Sequence, residues 1–340
     1  MYKSIYIPVD NSRYSNYAVD VGIAIAKKFD AKVVGSHVYA AKLHNRRLTD
    51  MEGGLPPQYQ SEKVLQGLRA LHGSLIERGL KSISISYLEV LKKKCIEAKL
   101  SFDCKVLEGK NYLELVKDIY DSNYDLVVMG VLGLGAVNGS LIGSVCERVV
   151  RRISTDVLVI KNDRPIRSKI LVAVDGSAPS HAAILAAGNF ARVFDTSLEA
   201  VSVFDPDYHR IAFENLADVL TQEAGQIFKF KEQEKLHGDI IDKGLAKVYQ
   251  DYLDNSRQIV ERDVGLKIST TLMEGKPYNE ILKRIKEEDP SLLVIGRTGL
   301  HNADSLDIGS ATENLLRLAP CHILITSETK RANLKTEVIL

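Results

Sequence analysis

Short apolar runs alternate along this chain with longer stretches whose apolar positions recur at helical spacing. Ser4–Val9 reads as a strand running into Asp10-Asn11-Ser12. Ala18, Val21, Ala24 and Ile25 then mark one face of a helix over Tyr17–Phe29. Lys32–Tyr39 is a second strand, Phe102–Glu108 a third, and Asn111–Asp121 a helix. Leu126–Gly130 and Val157–Lys161 complete five strands. Between the second and third strands lies an insert. Its first part, residues 43–60, is polar, and its Gly and Pro content predicts a loop without regular helix. Its second part, 62–99, has the helical period, with a break expected near Gly79–Leu80 and another at Gly73.

After a short charged linker, Asn162–Ser168, the same order restarts. Strands are expected at Ile170–Val174, Leu198–Phe204, Leu266–Glu274, Leu292–Gly296 and His322–Thr326. Helices are expected up to Phe194, through the charged stretch 211–261, and over Tyr278–Glu288 and Ala311–Leu318. The repeat has a constant offset. Asp10 maps to Asp175, His44 to His209 and His72 to His237 at 165, while Gly130 maps to Gly296 at 166. Even the inserts match, LHGSLIERGL against LHGDIIDKGL. One domain has been duplicated, insert included. The reading is 1–162 with an insert at about 40–100, 168–327 with an insert at about 205–262, and a tail at 328–340. Alternating strands and helices predict an α/β fold with a parallel, Rossmann-like sheet covered on both faces.

Candidate chemistry sits in the loop after the fourth strand of each half. Gly130, Gly133 and Gly143-Ser144 recur as Gly296, Gly299 and Gly309-Ser310, the spacing G-x2-G-x9-G-S both times. Strand, glycine loop and helix together turn backbone amides toward an anion such as phosphate. Asp10 and Asp175 end the first strand of each half, where ligands of such sheets sit. The same positions suit a helix N-cap, and Ser144 and Ser310 could cap as well. Arg148, Arg151 and Arg152 are read as complements to a helix C-terminus rather than as phosphate ligands.

Composition narrows the classes. A net charge of +1 gives no general attraction to nucleic acid or an anionic membrane. No apolar run approaches the roughly 20 residues of a membrane span, and the N-terminus lacks a signal-peptide pattern. Cys95, Cys104, Cys146 and Cys321 are scattered and read as reduced, buried fillers in a cytoplasmic protein.

The doubled glycine spacing, with an Asp closing the first strand, resembles the universal stress protein family over nearly the whole chain. That resemblance implies two tandem domains, each a five-stranded parallel sheet binding ATP. It implies that Asp10 and Val38, beside Pro8, hold adenine. Ribose and phosphates fall to Gly130, Gly133, Gly143 and Ser144, with Met129 and Val145 beside them. In the second half the implied positions are Asp175, Val203, Ile295, Gly296, Gly299, Gly309, Ser310 and Ala311. It further implies an intramolecular pseudo-dimer, with Val157–Lys161 and His322–Thr326 near its axis, and leaves open a homodimer of whole chains. No Walker lysine is present, so phosphate binding would rest on amides, hydroxyls and Mg²⁺ brought by ATP.

The halves differ inside the loop. Residues 134–142 are uncharged, whereas 300–308 carry Asp304 and Asp307 beside His301, with Arg297 nearby to offset them. The first site is therefore expected to be the better ATP site, with AMP or ADP an alternative at the second. His44 and His72, with His209 and His237, are read either as insert-fixing hydrogen bonders or as metal ligands, the spacing matching no known ligand pattern. The insert helices are expected to pack within the chain. No catalytic or metal-ligating residue is assigned. The leading function is an ATP-binding stress regulator acting through an unidentified protein partner. The alternatives are a slow ATPase and an interaction scaffold with nucleotide as a structural ligand.

Overall fold

A computed structural model describes residues 1–137, 139–206, 236, 240–300 and 308–327. His209, His237, His301, Asp304, Asp307 and the expected tail lie outside the described residues. The chain divides into two compact units, Met1–Asp163 and Arg164–Leu340.

In the first unit the strands are β1 (Ser4–Pro8), β2 (Lys32–Tyr39), β3 (Phe102–Glu108), β4 (Leu126–Gly130) and β5 (Asp156–Ile160). They lie in the order β3-β2-β1-β4-β5, every neighbour parallel. Register runs from Ser4 opposite Lys32 to Pro8 opposite Ser36, so both strands end at one edge. Leu126, Val127, Val128 and all of β5 are buried, as strands covered on both faces must be. Helices α1 (Arg13–Phe29) and α3 (Glu62–Glu97) pack on each other and on the sheet. Helices α4 (Asn111–Ser122) and α5 (Ser144–Arg152) pack on each other, and α4 packs on β2 and β3.

The insert departs from expectation twice. Residues Ala41–Met51 form a helix, α2, within the stretch read as a loop. The glycines and prolines of that stretch all fall between Gly53 and Pro57, so its first half held no breaker. Helix α3 also runs through Gly67, Gly73 and Gly79 without interruption. A helical glycine costs only about 1 kcal/mol, which packing offsets. Leu88, Leu91 and Cys95 bury its C-terminal part. Arg69 clamps the Glu52 carboxylate bidentately, Nε to Oε1 at 2.7 Å and Nη2 to Oε2 at 2.5 Å. The rings of His44 and His72 stack at 5.3 Å, with Nε2 of His72 3.4 Å from Nδ1 of His44. No cluster of three metal-ligating side chains occurs among the described residues.

The second unit repeats the architecture. Its strands are β6 (Lys169–Ala173), β7 (Ser197–Phe204), β8 (Ser269–Glu274), β9 (Leu292–Gly296) and β10 (His322–Thr326). They run parallel in the order β8-β7-β6-β9-β10. Its helices are α6 (Ala178–Phe194), α7 (Ala246–Asp263, in the insert), α8 (Pro277–Glu288) and α9 (Ser310–Leu318).

Superimposing the halves by the 165 offset exposes two exchanges of size where strand meets insert helix. Gly35 of β2 faces Leu91 of α3, and a Cβ on Gly35 would lie 2.3 Å from Leu91 Cδ2. The equivalents are Ala200 and Ser256, the strand residue larger than Gly35 and the helix residue smaller than Leu91. His37 of β2 meets Ser84 of α3, Nδ1 to Oγ at 2.8 Å. Their equivalents are Ser202, which donates to the Val174 carbonyl at 2.7 Å, and Tyr249. In each pair a gain on one element is met by a loss on the other, the direction of change that cores tolerate best.

A buried carboxylate distinguishes the second half. Glu199 of β7 is 1% exposed. It accepts from Lys169 at 3.0 Å, Arg284 at 2.7 Å and Thr271 at 2.7 Å. Burial alone would raise its pKa, but these donors outweigh burial and hold it below the usual carboxylate value. In the first half Val34 occupies the equivalent position, and Lys105 pairs instead with Asp118 at 2.6 Å.

His322, fully buried on β10, donates from Nε2 to the Arg164 carbonyl at 2.7 Å. Burial lowers its pKa below the ordinary 6.5, so the folded imidazole is neutral. Below about pH 6.5 the unfolded chain takes up a proton that folded His322 resists, and stability falls until the folded pKa is passed. Urea midpoints followed from neutral pH down to about pH 5 should therefore decline, and more steeply than those of His322→Gln. Parallel slopes would show that His322 contributes nothing to the acid limb.

Candidate functional site

The carboxyl edge of each sheet opens into a cleft, of about 640 Å³ in the first half and 470 Å³ in the second. Both fall within the ordinary range for small-molecule sites. Pro8, Asp10, Val38, Met129, Gly130, Gly133, Gly143, Ser144 and Val145 all line the first cleft. Asp175, Val203, Ile295, Gly296, Gly299, Gly309, Ser310 and Ala311 all line the second.

Asp10 sits where β1 gives way to α1, yet it does not cap that helix. Ser12 is the cap, accepting from the Ser15 amide at 3.2 Å, and Ser177 does the same for α6. The Asp10 carboxylate ties two loops instead. Oδ1 accepts from the Ser12 amide at 3.0 Å, and Oδ2 from the Leu134 amide in the glycine loop at 3.1 Å. Asp175 repeats both bonds with Ser177 and Leu300, at 3.0 and 3.1 Å. Both Asp10 oxygens keep lone-pair capacity for a ligand donor, whereas Asp175 Oδ1 also accepts from the Ser177 hydroxyl at 2.6 Å and leaves that capacity to Oδ2.

The glycines of the loop have distinct causes. A Cβ on Gly130 would lie 2.6 Å from the carbonyl carbon of Tyr14, so this residue lets β4 approach the start of α1. A Cβ on Gly133 would lie 2.4 Å from Asp10 Oδ2, within the space that carboxylate needs. Gly130→Ala is therefore expected to destabilise the first half by about 1–3 kcal/mol, because backbone rather than a side-chain tip must yield. Urea unfolding would measure it, and an unchanged midpoint would refute the close-approach account.

Ser144 and Ser310 are not caps either. They are the first residues of α5 and α9, following Gly143 and Gly309, and neither N-terminus has a side-chain cap. Amides of the first turn have no partner within the helix. At α5 they belong to Ser144, Val145 and Cys146, all on the cleft wall. The helix dipole adds positive potential there, which Glu147, also on the wall, partly opposes. Arg148 and Arg152 stack over Tyr112 at 4.9 and 5.2 Å, and Arg152 donates to the Arg148 carbonyl. Arg297 does not line the second cleft; it is buried, with Nε 3.3 Å from Ser327 Oγ. Burial pushes the Cys146 thiol up to about 12, so it is no nucleophile at neutral pH.

Several lining residues escape the sequence reading. Ser36, His37, Asn111 and Leu115 enter the first cleft, and Tyr249, Pro277 and Ile281 the second. Asn111 and Pro277 begin the helices that leave β3 and β8, so the strand-end rule could have found them. Tyr249 comes from the insert and carries no local signal. Burial lowers the His37 pKa, the Asp10 carboxylate acting against it. Burial raises that of Tyr249, with Asp175 adding to the rise.

Comparison with known proteins gives a consistent picture. The profile of the Universal stress protein family matches residues 1–161 and again 167–327. A universal stress protein of Methanocaldococcus jannaschii is 28% identical over 174 residues, 51% of this chain and 89% of that protein. The structure of a universal stress protein from Archaeoglobus fulgidus aligns over 96% of this chain and 98% of its own, at 15% identity and a TM-score of 0.63. A putative universal stress protein from Pseudomonas aeruginosa aligns over 99% and 97%, at 13% identity and a TM-score of 0.56.

Proposed function

We propose, on the premise that this chain belongs to the universal stress protein family as two tandem domains, that its first cleft binds ATP. The second cleft binds an adenine nucleotide more weakly, with AMP or ADP acceptable there. Occupancy is read by a protein partner, which makes the chain a stress-response regulator rather than a turnover enzyme.

One observation carries this reading. The uncapped amides of Ser144, Val145 and Cys146 form the wall of a cleft whose floor also carries the Asp10 carboxylate. Donors for phosphate and an acceptor for the adenine amine thus share one cavity. Val38 and Pro8, which also line this cleft, are assigned to the base end. Mg²⁺ arriving with ATP would offset Glu147. The smaller second cleft supports the ranking of the two sites.

The test is to purify the protein without added nucleotide, denature it and identify what is released. Between one and two adenine nucleotides per chain, mainly ATP, is the expected result. Release of ADP would favour hydrolysis. Nothing released, together with no heat on titration with Mg-ATP, would sink the nucleotide reading and favour a scaffold.

A further inference from the structure

The second size exchange, His37 with Ser84 against Ser202 with Tyr249, takes place on the wall of the clefts. His37 lines the first cleft and Tyr249 the second. Both rings pack on the same residue of the repeat. His37 meets Tyr87 at 5.1 Å edge to face, and Tyr249 meets Tyr252 at 5.5 Å. Tyr87 and Tyr252 are equivalent at the 165 offset. Each ring also lies in the field of the Asp that closes the first strand, Asp10 or Asp175. An aromatic ring therefore occupies one place in both clefts, delivered by the strand in one half and by the insert helix in the other.

The two rings offer different hydrogen-bonding chemistry. Ser84 donates its own proton to the Leu80 carbonyl at 2.8 Å. Its oxygen must then accept from Nδ1–H of His37, which leaves the neutral ring with Nε2 as an acceptor only. Nε2 has no protein partner among the described residues. A phenol, by contrast, both donates and accepts.

We infer that His37 helps read the base in the first cleft, Nε2 accepting one hydrogen of the exocyclic amine of a 6-amino purine beside Asp10, while Tyr249, able to donate to a 6-oxo group, makes the second cleft more tolerant of 6-oxo purines. The inference rests on the nucleotide reading above. A 6-oxo group placed against Nε2 sets acceptor against acceptor, and the loss at a partly solvated site is about tenfold in affinity. Ser84 is a positioning residue, since it fixes the tautomer without touching the base.

Photolabelling of the full chain with 8-azido-ATP, competed by ATP or by inosine triphosphate, tests this. Labelled peptides are assigned to residues 1–163 or to the second unit. Relative to ATP, inosine triphosphate should compete about tenfold less well in the first half than in the second. His37→Phe should bring the first-half ratio close to that of the second half. His37→Gln, which keeps an acceptor, should retain a preference for ATP, and Tyr249→Phe should leave the first half untouched. First-half labelling with the same competition ratio in both halves of the unmodified protein, or a ratio unmoved by His37→Phe, would overturn the inference alone. No labelling in either half would overturn the nucleotide reading and this inference with it.

Discussion

Replacing Glu199 by alanine is expected to destabilise the second half by about 3 kcal/mol, the lower end of the range for breaking a buried ion pair. The carboxylate is 1% exposed and neutralises two cations on different elements, Lys169 of β6 and Arg284 of α8. Its removal leaves Thr271 without its acceptor and the two cations sharing Glu288. The estimate stays at the low end because Lys169 and Arg284 are each about a quarter exposed and water can reach them. Because the folded pKa of Glu199 is depressed, its contribution is present above the unfolded carboxylate pKa and is lost as pH falls through the folded one. Urea unfolding at neutral pH is the measurement. A loss under about 1 kcal/mol would mean that the network merely breaks even against solvation.

Asp10→Ala should weaken ATP binding at the first cleft by about a hundredfold while the second cleft serves as an internal control. The carboxylate joins the start of α1 to the glycine loop through the Ser12 and Leu134 amides. Hydrogen bonds to a charged group contribute about 1.5–3 kcal/mol each, so losing both organising bonds would release the loop. Any direct bond to adenine would be lost as well. Asp10→Asn keeps an acceptor for one amide and should fall between. Gly133→Val would be a poor substitute, since its side chain would collide with Asp10 Oδ2 and confuse packing with recognition. Mg-ATP titration of the variant and of Asp175→Ala should show the complementary site surviving in each. Undiminished binding by Asp10→Ala at the first cleft would remove this carboxylate from the site.

What was legible in the residues follows from burial. Lys32–Tyr39, Phe102–Glu108, Leu126–Gly130 and His322–Thr326 coincide with observed strands, because β-branched runs that recur between turn signals in every repeat have few alternatives. Helix starts were harder. Helix α1 begins at Arg13 rather than Tyr17, its first turn being polar and held by the Ser12 cap rather than by an apolar face. Helix α2 was hidden by averaging its residues with the glycines and prolines that follow. The doubled glycine spacing and the two aspartates come together on cleft walls, since strand ends and loops are fixed by topology. His37 and Tyr249 could not be read out, because what places them is the packing of an insert against the sheet rather than a local pattern.

The paired exchanges at β2 with α3 and β7 with α7 have a consequence for recombining the two halves. A chimera that joined the first sheet to the second insert would set Gly35 against Ser256 and His37 against Tyr249, one contact hollow and the next crowded. The reciprocal chimera would press Ala200 onto Leu91 and leave Ser202 facing Ser84. Sheet and insert of each half are thus matched to each other rather than interchangeable. Substitutions across that seam should be non-additive, each harmful alone and tolerated with its partner.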